Sequence, residues 1–179
     1  MSHEEEMRQR AENNSEMLDR LDESGRVIGQ VRRGDVHGNP ALRHPSVHLF
    51  VVNSLGQYYL QRRSPYKKVQ PNKWDTSVGG HIPAGESYEQ GALRELAEEL
   101  GVVLADNSRL KRHHDFVWST DFETEHTRTF ILEYEGPFRV DPAEVAEGRF
   151  WSKDELRSAV GKDMLTPNLE LELKFLGII

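Results

Sequence analysis

The chain has 179 residues, a formal net charge of −7 and no cysteine. Its length suffices for one domain with its own core, and the lack of cysteine excludes disulfides, thiolate metal sites and cysteine nucleophiles. No apolar run approaches the ~20 residues of a membrane span, and an acidic balance without a long basic block makes nucleic acid a poor partner.

Residues 1–17 are polar and acidic, read as a helical or disordered arm without a secretory signal, and the expected location is cytoplasmic. Residues 18–179 are expected to form a single domain. LDRLDESGRVIGQVRR (18–33) predicts a hairpin turning at Ser24-Gly25. VHLFVVN (47–53) and YYLQRR (58–63) predict two strands joined by a turn, and SPYKKVQPNKW (64–74) a loop. DTSVGG is a short strand running into glycines. HDFVWST (114–120), TRTFILEYE (127–135) and RFW (149–151) predict further strands, and Ser152 with Glu155 opens a helix through a capping box. NLELELKFLG alternates like a strand, yet Thr166-Pro167 is a good helix start and Gly177 a good stop, so a helix is predicted. Mixed strands with about three helices point to an α/β sandwich.

Between the glycines and residue 114 lies a helix with readable ends. Ser87 and Gln90 fit a capping box, and Gly101 suits the left-handed residue that closes a helix. Leu93, Leu96, Ala97 and Leu100 form its apolar stripe. Glu95, Glu98 and Glu99 fall within one arc of roughly 100° on the other side. Like charges one turn apart cost about 0.2–0.5 kcal/mol, and these sit near the negative end of the helix dipole. Two readings fit: a glutamate-rich solvated face, or a cradle for a divalent cation, which takes carboxylate oxygens.

The wider stretch GGHIPAGESYEQGALRELAEELGV (79–102) places Glu86, Arg94-Glu95, Glu98-Glu99 and Gly101 at fixed spacings after Gly80. It resembles the Nudix box, G-x5-E-x7-R-E-U-x-E-E-x-G-U with U apolar, at every fixed position. The resemblance implies a single Nudix domain over 18–179, a Nudix-type α/β/α sandwich with a mixed β-sheet and a loop–helix–loop. It implies Mg²⁺ or Mn²⁺ and a small-molecule substrate containing a diphosphate. Glu98 and Glu99 would be the main metal ligands, and Glu95 a further ligand or the base that activates water. Arg94 and Glu86 would orient the glutamates, and the Gly80 carbonyl would face a metal.

The flanks resemble the isopentenyl diphosphate isomerase-like branch of that superfamily, from about Leu18 to the C-terminus. RRSPYKKVQPNKWDTSVGGH is similar to the isomerase stretch of two arginines, a lysine-bearing loop, a tryptophan and a cysteine-glycine-histidine. The match implies that Arg63 and Lys67 hold the diphosphate. It also implies a second metal site from His37, His44, His81, Glu123 and Glu125, whose imidazole and carboxylate groups form a plausible octahedral set. The competing reading of these five is scattered surface or core side chains. His3, His48, His113, His114 and His126 have no assigned role and are expected at the surface. Trp74 is expected to pack, and Trp118 and Trp151 to be core or structural residues.

The departure from the isomerases is chemical. Their cysteine, which moves a proton on an allylic carbon, is matched here by Gly79, and the box they tend to lose is intact. The expected activity is therefore hydrolysis of a diphosphate linkage, ahead of isomerisation or of a non-catalytic ligand sensor. Substrate identity and oligomeric state stay open from the sequence.

Overall fold

The computed structural model describes residue 5 and residues 14–179, so the predicted arm lies mostly outside the described residues. A hairpin, β1 (Met17–Leu21) and β2 (Val27–Arg32), leads into a single-turn helix, α1 (Arg33–Val36). Then come β3 (His44–Val52), β4 (Tyr58–Arg63), the two-residue β5 (Trp74–Asp75) and β6 (Val78–His81). Helix α2 (Tyr88–Leu100) precedes β7 (Lys111–Ser119), β8 (Thr124–Glu133) and β9 (Val145–Trp151). Helices α3 (Lys153–Ala159) and α4 (Pro167–Phe175) finish the order.

Successive strand residues face opposite sides of a sheet, and β3 uses that alternation to serve two cores. Val47, Leu49 and Val51 pack with Ala92, Leu96 and Leu100 of α2. Phe50 packs on the other side with Leu156 of α3 and with Leu169 and Leu173 of α4. Helices on both faces make the α/β/α sandwich that the sequence predicts. The sheet runs β5-β4-β3-β8-β7, with β6 also on β3 and β9 also on β4. It is mixed, because β3 and β8 are parallel while the other pairs are antiparallel. Leu18, Val31 and Val36 form a small separate core beneath the N-terminal hairpin.

The predicted punctuation is present. Ser87 Oγ accepts from Gln90 N–H at 3.1 Å, and Gln90 Oε1 accepts from Ser87 N–H at 2.8 Å. Gly101, at φ 65°, closes α2 with its N–H on Ala97 O at 3.1 Å. α4 is a helix despite its alternating sequence, because Leu169, Glu172 and Leu173 share one buried face at helical spacing. α1 has no counterpart among the predicted elements, and β9 begins four residues before the predicted RFW strand. The first half of β9 (Val-Ala-Glu-Gly) has no apolar run, and pairing with β4 holds it in the sheet. Among the described residues no helix is long and apolar enough to cross a membrane.

Candidate active site

Strand β6 places two adjacent glycines against different groups. A Cβ on Gly79 would lie 3.1 Å from His48 Cδ2, on the face of β3 that also carries Phe50. A Cβ on Gly80 would overlap the Glu95 carboxylate, which comes from α2 on the other face. One short strand thus separates the box carboxylates from a second polar cluster. Gly80→Ala should therefore displace Glu95. Because the displaced group is the far end of a flexible side chain, we expect little change in urea unfolding but loss of turnover. Wild-type turnover would show that Glu95 need not sit there.

On the α2 side, Arg94 collects the box. Its Nε donates to Glu86 Oε1 at 3.2 Å, its Nη1 to Glu95 Oε1 at 2.8 Å and Glu98 Oε2 at 3.3 Å, and its Nη2 to the His81 carbonyl at 3.1 Å. The three glutamates differ in burial, although the helical wheel puts them on one solvated arc. The Glu98 side chain is 59% exposed, whereas Glu99 is only 4% exposed. Glu99 Oε2 accepts from Gln61 Nε2 at 2.9 Å and from Gly79 N–H at 3.4 Å. Burial, then the neighbouring Glu95 and Glu144 carboxylates, push Glu99 well above the usual carboxylate range. Burial also pushes Glu95 up to about 7 against the pull of Arg94. Two buried, mutually repelling carboxylates are what a bound cation would relieve.

On the other side of β6 lies a cavity of about 480 Å³, lined by Arg63, Lys67, Gly79, Gly80, His81 and Glu125 among others. The box glutamates do not line it; Glu99 touches its wall through Gln61 and Gly79, and Glu95 lies against Gly80. At one end, His44, His81, Glu123 and Glu125 bring ligand atoms within 4.8 Å of one another. Their convergence follows from register. His44 is the β3 partner of Glu125 on β8, and Ser46, two residues on, pairs with His81 of β6. His44 Nδ1 donates to Leu42 O at 3.2 Å, which leaves Nε2 toward Glu125 Oε1, 3.9 Å away. His81 Nε2 is 3.5 Å from the same oxygen. His37 joins through α1. Gly38 N–H bonds Phe122 O at 2.7 Å, and His37 Nε2 is then 3.5 Å from Glu123 Oε2. Burial, and then the charge of His81, lower His44 to about 4. Burial alone would raise Glu125, but the His81 hydrogen bond and the nearby imidazoles bring it to about 2. Burial and Glu125 raise Glu123 to about 8.

The cationic wall of the cavity is tied down. Arg63 Nε donates to Val69 O at 3.0 Å and its Nη1 to Asp75 Oδ2 at 3.0 Å. Lys67 pairs with Glu144.

The NUDIX domain family model matches residues 42–169. The chain belongs to the Nudix family. An uncharacterized Nudix hydrolase of Nostoc sp. is 45% identical over 89 residues, 50% of this chain and 53% of that protein, so the match spans about half the relative's length. An isopentenyl-diphosphate Delta-isomerase of Brevibacterium linens is 32% identical over 148 residues, 81% of each chain. The crystal structure of DR0079 from Deinococcus radiodurans is similar at TM-score 0.73 and 29% identity, covering 89% of this chain and 98% of that one.

Four expectations about this Nudix domain need correction. His114 and His126, read as surface residues, are half-buried, and the His114 ring rests on the buried Glu172. His48, read as a surface residue, is buried, and its Nδ1 lies 2.7 Å from Glu172 Oε2. Trp118, read as core or structural, lines the cavity. Two residues were missed. Glu144 reaches the box because the loop before β9 lies along the end of α2, with Arg139 N–H on Leu100 O at 2.8 Å and Asp141 N–H on Glu99 O at 3.2 Å. Glu172 accepts from His48, from His114 Nε2 at 3.2 Å and from Thr129 Oγ1. Neither carries a local sequence signal.

Proposed function

We propose that the chain is a metal-dependent hydrolase that cleaves a diphosphate linkage in a small molecule. The observation that carries this reading is the pair of surroundings of β6. Gly79 offers no proton-moving side chain to the cavity, while Arg94, Glu95, Glu98 and Glu99 stand assembled behind Gly80.

The residues fit a divalent cation. Two buried imidazole nitrogens, His44 Nε2 and His81 Nδ1, have no hydrogen-bond partner among the described residues, and carboxylates and imidazoles converge beside them. Mg²⁺ or Mn²⁺ bound there would neutralise the diphosphate and acidify water. Glu95, Glu98 and Glu99, with the Gly80 carbonyl, would hold one ion. His37, His44, His81, Glu123 and Glu125 would hold another. Arg63 and Lys67 steady the diphosphate, and Arg94 with Glu86 orients the glutamates. Glu95 is our first choice to take the proton from attacking water, because it is buried against Gly80 at the cavity wall and oriented by Arg94. Glu123 and Glu125 are the runners-up. The products are a phosphomonoester and either phosphate or a second monophosphate.

A screen of nucleoside diphosphates, nucleotide sugars, coenzyme A esters and prenyl diphosphates tests the proposal, with release of phosphate and monophosphate followed. Release that requires Mg²⁺ or Mn²⁺ is expected for at least one class, and no release across the panel would sink the idea. The isomerase relative supports isomerisation as the second reading. Isopentenyl diphosphate in heavy water should then gain deuterium in its carbons at an enzyme-dependent rate. We expect no label, since the chain has no thiol.

A further inference from the structure

We propose that His48 is a ligand-contacting residue whose Nε2–H donates to an oxygen of the bound small molecule, through the opening left by Gly79. This rests on the cavity being the ligand site of the proposed hydrolase, and it narrows the class of ligand.

His48 lines the cavity, yet it is only 8% exposed. Its orientation is fixed from behind. The Glu172 carboxylate is fully buried on α4 and accepts from His48 Nδ1, from His114 Nε2 and from Thr129, the direct β8 neighbour of His48 in parallel register. With three donors around it that carboxylate is ionised, so His48 Nδ1 carries a proton. Burial opposes a charge on the ring, but the charge and hydrogen bond of Glu172 outweigh it and hold His48 up at about 9. Nε2 is then a second donor, and among the described residues it has no hydrogen-bond partner. A Cβ on Gly79 would stand 3.4 Å from that nitrogen. A glycine at this position is what keeps Nε2 open to the cavity.

A buried ion pair is a poor device for stability alone, because desolvation offsets most of its attraction. A buried donor aimed at a cavity does discriminate between ligands. A hydrocarbon seated over Gly79 would leave Nε2–H unpaired, which is penalised, while a phosphate, carbonyl or hydroxyl oxygen satisfies it. The cavity is thus built for a ligand that presents oxygen at Gly79, and against a prenyl chain placed there.

The test uses the full chain labelled with ¹⁵N and titrated, with Mg²⁺, with pyrophosphate, α,β-methylene-ADP and isopentenyl diphosphate. The readouts are the His48 Nε2 resonance and the indole Nε1 of Trp118, a second reporter on the cavity wall. His48 should shift with the probes that shift Trp118. A shift with pyrophosphate assigns the oxygen to phosphate, and a shift only with the nucleotide analogue assigns it to the organic part. Saturable movement of Trp118 with His48 unmoved by all three overturns the proposal. His48→Gln strands Glu172 and risks misfolding, so Gly79→Ala is the paired variant. It leaves the His48–Glu172 bond in place and should weaken binding of the responsive probe by roughly tenfold, about one unsatisfied hydrogen bond. Unchanged affinity would also overturn the proposal. If the hydrolase reading alone is wrong, phosphate release is absent while the His48 response persists.

Discussion

Glu99→Gln is expected to lower turnover on any hydrolysed diphosphate by roughly 10²- to 10⁴-fold, while raising the melting temperature of the metal-free protein. The two effects share one cause. Glu99 is buried beside Glu95 and Glu144, so folding without metal costs either a buried, repelled charge or the uptake of a proton. An amide keeps an oxygen for Gln61 Nε2 and Gly79 N–H and presents an NH₂ to the neighbouring carboxylates, so the fold loses no hydrogen bond and sheds the repulsion. In the proposed metal site the same change removes an anionic ligand. Charge stabilisation by a catalytic cation is worth several kcal/mol, and each 1.36 kcal/mol is a factor of ten in rate. Glu98→Gln separates the two effects. With its side chain 59% exposed, it should reduce turnover without the gain in melting temperature. Thermal melts in EDTA and turnover on a proven substrate decide the matter. Wild-type turnover for Glu99→Gln would remove this residue from the machinery.

Stripped of metal, the protein should lose stability as pH rises from 6.5 to about 8, and Mg²⁺ or Mn²⁺ should restore more of it at the upper end. Glu95 and Glu123 have folded-state values of about 7 and about 8 against an ordinary 4.5. Between those limits the folded chain binds more protons than the unfolded one, so stability falls with rising pH. His48, raised from 6.5 to about 9, acts in the same direction, since its contribution is full below 6.5 and is lost toward 9. His44 acts in the opposite sense. Lowered to about 4, it makes stability rise with pH, but only up to 6.5, where the unfolded imidazole is already neutral. Glu125 and Glu172, both near 2, affect only acid below 4.5. Above 6.5 the downward terms are therefore unopposed. A cation at a hundred times its dissociation constant adds about 2.7 kcal/mol, or roughly 5–10 °C for a domain of this size. Proton competition reduces the gain at lower pH. Melting curves at both pH values, with EDTA and with metal, measure this directly, and His81→Gln should reduce the Mn²⁺ increment. Stability that rises from pH 6.5 to 8 in EDTA would contradict the assignment of Glu95 and Glu123 as strained acids.

The box was legible because its residues follow one another along a single helix, where spacing alone fixes which of them meet. The ends of α2 and the start of α4 were legible for the same reason, since capping by Ser87, Gln90 and Gly101 and the proline at 167 are local chemistry. His37, His44, His81, Glu123 and Glu125 could be gathered only by resemblance, and the register of β3 with β6 and β8 is what brings them near one another. His48 was misjudged because its partner lies 124 residues away, on a helix whose own sequence alternates like a strand. Glu99 was placed on the solvated arc because a helical wheel contains no neighbours. Its burial comes from Gln61, from Gly79 and from the loop that carries Glu144.

The contact between positions 48 and 79 also constrains descent. A methyl at 79 would stand 3.1 Å from the ring of residue 48, so the imidazole need give only a few tenths of an ångström, whereas a thiol must also seat its sulfur beside the same ring. Acquiring a thiol there, as carbon-proton chemistry would require, therefore acts on residue 48 and, behind it, on the acid on α4 at 172. Passage between the two activities on this scaffold is thus coupled across three positions rather than confined to one.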